Sequence, residues 1–392
     1  MSEALACVMG SMNLVRPLGL AGVGCAVVAA PGAPTLYSRF TRAAIDAPDG
    51  EDELIEALLR FAATQPAPPV LYYEEDEHLL LISRHRERLG AAFRFVIADA
   101  DLVETLVDKA RFQDLAERMG LPVPRTRRLH PAAGSAPPEV DLRFPLVVKP
   151  LTRGAAWFAI EPAGKAVRVD SADALRALWP RFIAAGIELL AQELIPGPET
   201  RIESYHVYVD AAGAIAGEFT GRKIRTYPRS FGHSTALTIS DMDADAADVA
   251  ALGRDLVRRL GLRGVAKFDV KRAPDGALHL LEVNPRFNLW HHLGAIAGVN
   301  LPALVHADLT GRPRPAAGRA RVGANWCRPA GDLSAARESG VPLASWLLWT
   351  LRCEAKQAVA WDDPMPVLGA AWQRLNPRRY IGGYIGRSTS SL

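Results

Sequence analysis

Cysteine is scarce in this 392-residue chain: Cys7, Cys25, Cys327 and Cys353 are its four, far apart and with no CxxC spacing. That excludes a disulfide framework and a cysteine-ligated zinc site, and it predicts a reducing, cytoplasmic setting. An excess of one charge is also missing. With 46 basic against 43 acidic residues the net charge is only +3, too small to imply nucleic-acid binding, so any basic site must be local. No apolar run reaches the roughly 18 residues that span a bilayer. The nearest, "VPLASWLLWTL" at 341–351, is short and broken by polar residues; it reads as a buried helix, with an interfacial helix as the other reading. The opening "MSEALACVMGSMNLVRP" carries Glu3 early and no basic leader, which argues against a signal peptide. Gly10, Gly19, Gly22 and Gly24 do not form the dinucleotide fingerprint, and no spacing points to a Ser-His-Asp or Cys-His nucleophile.

What is present is globular: hydrophobic residues make up 49% and charged residues 23%, in a chain long enough for two to three domains. The first hundred residues alternate short apolar runs ("ALACVMG", "GCAVVAA", "VLYY") with helical periods ("NLVRPLGLAG", "EDELIEALLRFAAT"), the pattern of an open parallel sheet with helices on both faces. "DADLVETLVDKARFQDLAERMG" predicts a helix pair stopped by Gly120. Strands are predicted at "FPLVVKP", "WFAIEP", "AVRVD" and "IELLAQE", with a helix at "SADALRALWPRFIAAG". Two hairpins follow, one turning at Gly213 and one at Pro274-Asp275-Gly276, separated by the helix "ADAADVAALGRDLVRRLG". Beyond residue 310 a Pro, Gly and Arg-rich connector leads into a mostly helical tail that holds Trp326, Trp346, Trp349, Trp361 and Trp372, all read as core.

The second hairpin carries the chemistry. In "LLEVNPRFNLWHH" (280–292), Glu282, Asn284 and Arg286 fall on one face of a strand, because alternate side chains share a face. Asp269 lies thirteen residues before Glu282, and the Asp-Gly turn brings the two strands together, so both carboxylates face one cleft with the Asn284 amide. A few protein oxygens of this kind suit magnesium, with phosphate and water completing the shell. Lys267 alternates onto the same face and offers a cation to a transferring phosphoryl group. A hairpin bearing solvated charges is the other reading. Lys149 ends an apolar strand, Lys109 opens a helix, and "TGRKIR" clusters Arg222, Lys223 and Arg225; each is an ordinary surface cation unless an anion binds there.

Taken in order, these signals resemble the ATP-grasp superfamily, up to about residue 310. "DKARFQDLAERMGLPVPRT", "FTGRKIRTYPRSFG" and "LLEVNPRFNLWHHLGAIAGVNLP" are similar to motifs of a subgroup of ATP-dependent carboxylate ligases that includes D-aspartate ligases. The N-terminal part resembles the small sheet domain before the ATP-grasp module in the carbamoyl-phosphate synthetase large chain and D-alanyl-D-alanine ligase. The resemblance implies an α/β fold, α+β in the ATP-grasp part: an open parallel sheet domain over 1–105, a two-lobed ATP-grasp module over 106–310 (small lobe 106–190, C-terminal lobe with the metal site 191–310) and a helical extension over 311–392. It implies that Lys109 and Lys149 bind phosphate oxygens and the adenine-side edge of ATP, that Gln192 also belongs to the ATP site, that Glu193, Leu194 and Ile195 form the adenine hinge, and that Glu199 holds the ribose. Asp269, Glu282 and Asn284 would hold Mg2+, or Mn2+ in its place, while Lys267, Arg286, Arg222, Lys223 and Arg225 would neutralise the γ-phosphate and an acyl-phosphate intermediate. One departure stands out: the phosphate-covering loop "PLTRGAAWFAIEP" has only Gly154, so Arg153 or Lys165 would cover the phosphates, unless both are plain surface residues.

The activity so implied is ATP-dependent joining of a small acid to an amine, releasing ADP and phosphate. The alternatives are a bicarbonate-using carboxylase or carbamoyl-forming enzyme, and a non-catalytic nucleotide-binding protein. Partners would be the acid and amine substrates, with no nucleic acid, no transmembrane segment and a homodimer as an option. His233, His291 and His292 lie near these motifs, and each is either a base toward the amine or a local hydrogen-bonding residue. Tyr227 and Arg229 are candidates for recognising the acid, or simply pack on the lid.

Overall fold

In the computed structural model, which describes residues 3–152, 154–162, 164–316, 318–357 and 359–375, the N-terminal region runs β1 (Ala6–Met9), α1 (Met12–Leu20), β2 (Cys25–Ala29), β3 (Thr41–Asp46), α2 (Glu51–Ala63) and β4 (Val70–Tyr73). Its strands form one parallel sheet in the order β3-β2-β1-β4. β1 and β4 are buried at every position because helices cover both faces. α1 begins where the Ser11 hydroxyl accepts from the Asn13 amide. Then come α3 (Asp76–Arg84), α4 (Arg86–Gly90), α5 (Ala100–Val107) and α6 (Lys109–Arg118). The Asp108 carboxylate accepts from the Ala110 and Arg111 amides, which starts α6 and fixes Lys109 in its first turn.

The second sheet is antiparallel: β5 (Thr126–Leu129), β6 (Leu146–Pro150), β7 (Val167–Val169) and β8 (Leu189–Glu193), in the order β5-β8-β6-β7. The strand expected at "WFAIEP" is instead the short helix α7 (Ala155–Phe158). Trp157 explains the difference: it is fully buried and donates its indole N–H to the Gly164 carbonyl, while the next residue, Phe158, is exposed. Two alanines ahead of it favour a helical turn over an extended ladder. α8 (Ala172–Ala185) is capped by Ser171 and stopped by Gly186 in the left-handed region.

The third sheet has seven strands: β9 (Ile202–Val209), β10 (Ile215–Tyr227), β11 (His233–Ile239), then, after α9 (Ala247–Leu260), β12 (Gly264–Arg272), β13 (Leu278–Asn284), β14 (Asn325–Cys327) and β15 (Ala355–Lys356). Their order is β13-β12-β9-β10-β11-β14-β15, antiparallel except for the last pair. Between β13 and β14 lie α10 (His291–Ala297) and α11 (Leu301–Thr310); α12 (Pro329–Glu338) and α13 (Leu343–Arg352) precede β15, and α14 (Met365–Leu375) follows it. The C-terminal extension is thus largely helical, and its two short strands complete the sheet edge beside β11.

One continuous core joins the first and third sheets, whereas the second sheet packs a separate core around Trp157, Trp179 and Phe182. A lobe with its own core leaves a cleft against the rest. Two expectations for the extension fail. α13 is not buried: Leu343, Leu347, Leu348 and Leu351 are all exposed. Of the five tryptophans, Trp326 is core and Trp346 and Trp349 are half-buried, but Trp361 and Trp372 are exposed. No single helix among the described residues is long and apolar enough to cross a membrane.

Candidate active site

Strand alternation builds the floor of the cleft. β12 and β13 pair so that Asp269 stands directly opposite Glu282 and Lys267 opposite Asn284. Asp269 is held on both sides, its Oδ1 accepting from the Ser204 hydroxyl and its Oδ2 lying 2.6 Å from the Lys267 ammonium. The same ammonium is 3.8 Å from Glu282, and Asn284 donates to Glu282 at 3.1 Å. Burial works against the Lys267 charge, but Asp269 and Glu282 outweigh it and hold its pKa above the ordinary lysine value. Enclosure would raise the Glu282 carboxyl, yet Lys267 foremost pulls it well below the usual carboxylate range. Two carboxylates and an amide oxygen are hard donors that fit magnesium, and the lysine ammonium between the carboxylates marks where they draw positive charge. Among the described residues no cluster of three or more His, Cys, Asp or Glu forms a metal site, so this set supplies only part of a coordination shell.

A cavity of about 580 Å³ opens above this floor. Its second-lobe wall carries Lys149, the Lys165 side and the end of β8, Gln192 to Ile195; Lys109 enters from α6. Lys109 donates to the carbonyls of Pro150 and Leu151. Lys149 donates to the Gln192 side-chain oxygen at 3.3 Å, and Gln192 is oriented by donating its amide to the Thr126 hydroxyl at 3.0 Å. Burial lowers the Lys149 pKa to about 8, opposed by Glu282 and assisted by Lys109. At the hinge the Leu194 amide donates to the Pro145 carbonyl, and the Glu193 carboxylate accepts from the Arg143 amide and faces Arg125. The Glu193 side chain therefore braces the hinge; the Ile195 amide has no backbone partner among the described residues.

Arg286 closes the opposite end. Its Nε is 2.5 Å from Asp76, one Nη donates to the Glu74 carbonyl and the other to the Asn284 oxygen. The first sheet thereby contributes Glu74, Glu75 and Asp76 to the wall, none of which had a local sequence signal. Lys271 was also missed: it sits 3.7 Å from Glu199 and lines the cavity, two residues past Asp269 on the same face, so the alternation that found Lys267 would have found it.

Several expected residues lie elsewhere. Arg225 is absent from this cavity: a bulge after Lys223 redirects it, and it forms a bidentate pair with Asp332 at 2.7 and 2.8 Å while stacking on Trp349. Arg222 alternates to the other face of β10, and Tyr227 is exposed beyond the cavity. Arg229 gives its amide to Glu338 and lines an adjoining cavity of about 610 Å³ with Lys223 and Lys271. His291 and His292 start α10 and turn into the core, where burial pushes both down to about 3, so neither reaches a substrate as a base. His233 lines the cavity. Arg153 lies outside the described residues.

Residues 188–327 match a family model described as ATP-grasp in the biosynthetic pathway with Ter operon. The chain is 25% identical over 291 residues to a D-aspartate ligase of Enterococcus faecium, covering 70% of this chain and 68% of that one. It is 29% identical over 218 residues to a D-alanine–D-alanine ligase of Ectopseudomonas mendocina, covering 52% and 64%. In fold it is similar to the ADP complex of an N5-carboxyaminoimidazole ribonucleotide synthetase, with a TM-score of 0.61 at 17% identity over 82% of this chain and 80% of that one.

Proposed function

We propose that the chain, similar to ATP-grasp ligases, is an ADP-forming carboxylate-amine ligase that phosphorylates the carboxylate of a small acid and couples it to the amine of an amino acid or an amino-acid-containing acceptor. The observation that carries this reading is the Asp269–Glu282 cross-strand pair, facing a cavity whose other walls bring Lys109, Lys149, Lys223 and Arg286.

A carboxylate is a poor electrophile, so the acid must be activated. Its oxygen attacks the γ-phosphorus, the bond from that phosphorus to the β-γ bridging oxygen breaks, and ADP leaves. The amine nitrogen then attacks the acyl carbon, the acyl C–O bond breaks, and the electron pair leaves with inorganic phosphate while the amine loses its proton. Positioning and charge neutralisation do most of this work. Lys109 and Lys149 hold the inner phosphates, the Ile195 amide serves adenine, and Glu199, braced by Lys271, holds the ribose hydroxyls. Lys267, Lys223 and Arg286 face the transferring group. Asp269, Glu282 and Asn284 would hold magnesium, or manganese, which when bound neutralises phosphate oxygens. His233, at the cavity wall, remains the substrate-side histidine. On this reading 1–105 walls the acid side, 106–190 and 191–310 enclose the nucleotide, and the two short strands after residue 310 finish the outer sheet edge.

The test is ADP and phosphate release from Mg-ATP with acids and amines offered singly and in pairs, bicarbonate added or excluded. Pair-dependent release, lost in Glu282→Gln, is the expected result. Release with bicarbonate alone would replace this reading by a carboxylase, and tight ATP binding without turnover on any pair by a nucleotide-binding protein.

A further inference from the structure

α13 is inside out for a surface helix. It turns Trp346, Trp349 and Thr350 toward the protein and leaves Leu343, Leu347, Leu348 and Leu351 between 49% and 61% exposed. Its inner face is anchored: the Trp346 indole donates to Asp332 at 3.0 Å, and the Arg225 guanidinium sits 4.2 Å from the Trp349 ring centroid. At roughly 100 Å² each, the four leucines present on the order of 400 Å² of apolar surface, in the range of the largest patches on monomeric proteins and characteristic of a contact surface.

Charge identifies what this surface fits. Residues 311–392 hold twelve basic and five acidic residues, a net charge of +7, which leaves −4 on the first 310 residues. Its five acids are engaged, Asp332 with Arg225, Glu338 with the Arg229 amide, Glu354 with Arg321, Asp362 with Arg39, and Asp363 with Ser38 and Arg16, and so are four of its arginines, Arg312 with Glu3, Arg314 with Asp210 and Asp308, Arg319 with Asp243 and Arg321 with Glu354. Arg337 in α12 and Arg352, the last residue of α13, are exposed and make no ion pair among the described residues. A second copy docking leucine face to leucine face across a two-fold axis would set like-charged extensions against each other. We propose that α13 docks on an anionic membrane surface, its leucines entering the acyl boundary and Arg337 and Arg352 meeting lipid headgroups.

The experiment is co-sedimentation of the full chain with vesicles of phosphatidylcholine alone and of phosphatidylcholine mixed with phosphatidylglycerol, paired with analytical ultracentrifugation. Binding to the anionic vesicles only is expected, weakened at least about tenfold in Leu347→Ser/Leu351→Ser and in Arg337→Glu/Arg352→Glu. Melting temperature and ATP affinity stay unchanged in both variants, so a folding defect is recognised as such, and the outcome does not depend on the ligase reading. The proposal is overturned by absence of binding to anionic vesicles, by equal binding to both compositions, or by a dimer that the leucine variant dissolves.

Discussion

Replacing Lys149 by arginine is expected to flatten the pH dependence of ATP binding. The lysine stands on β6 against the cleft, with a single neutral acceptor, the Gln192 oxygen at 3.3 Å, and burial brings its pKa to about 8. Against an ordinary value of 10.5, that fall corresponds to about 3 kcal/mol for charging the amine where it lies. In the proposed role ATP phosphates recruit the protonated form, so raising the pH through 8 withdraws the binding-competent state. For one proton the apparent Kd for ATP rises about tenfold from pH 7 to pH 9. The same shift acts on folding with the opposite sense. The unfolded chain holds the proton up to 10.5 and the folded chain only to about 8, so this residue's contribution to stability grows as pH rises between the two. Calorimetric titration of ATP into wild type and Lys149→Arg across that range is the assay. Arginine keeps its charge throughout, and its Kd should be level. A wild-type Kd that does not move, or an equal rise in Lys149→Arg, would refute the assignment of the titrating group.

Three further outcomes follow from the packing. Asp332→Ala removes the acceptor shared by Arg225, Thr235 and Trp346 and leaves a nearly buried guanidinium without its carboxylate; about 3–5 kcal/mol of destabilisation is expected, read from denaturant midpoints, and a loss below about 1 kcal/mol would contradict the pairing. His291→Phe exchanges a buried ring, neither of whose nitrogens has a hydrogen-bond partner among the described residues, for a similar apolar ring, so stability should change by less than about 1.5 kcal/mol with turnover intact, and a collapse of turnover would restore His291 to the chemistry. Gly253→Ala drives a methyl into the Tyr205 ring where α9 lies on β9 and should cost about 1–3 kcal/mol in the same assay, while an unchanged midpoint would mean that the helix stands off the sheet.

What could be read from sequence divides along the length of the chain a signal needs. Register within the β12–β13 hairpin was legible, because a two-residue period and an Asp-Gly turn fix which side chains share a face; Asp269 meets Glu282 for that reason alone. Arg225 was misread by the same rule, since a bulge between it and Lys223 breaks the period and its partner Asp332 lies 107 residues on. His291 and His292 follow the motif in sequence but begin a helix, and the change of period from two to 3.6 turns them into the core. The strand expected at "WFAIEP" failed because the burial of Trp157 is decided by α7's own lobe and not by alternation. The wall formed by Glu74, Glu75 and Asp76 had no local signature at all, because it exists only once Arg286 reaches back 210 residues to Asp76. The hairpin side of the cleft is therefore written in short-range patterns, whereas the half facing Arg286 is assembled from segments distant in sequence. On the proposed roles, selectivity for one acid over another lies in that second half, because the hinge and the metal-side carboxylates are assigned to the ATP that every such acid shares.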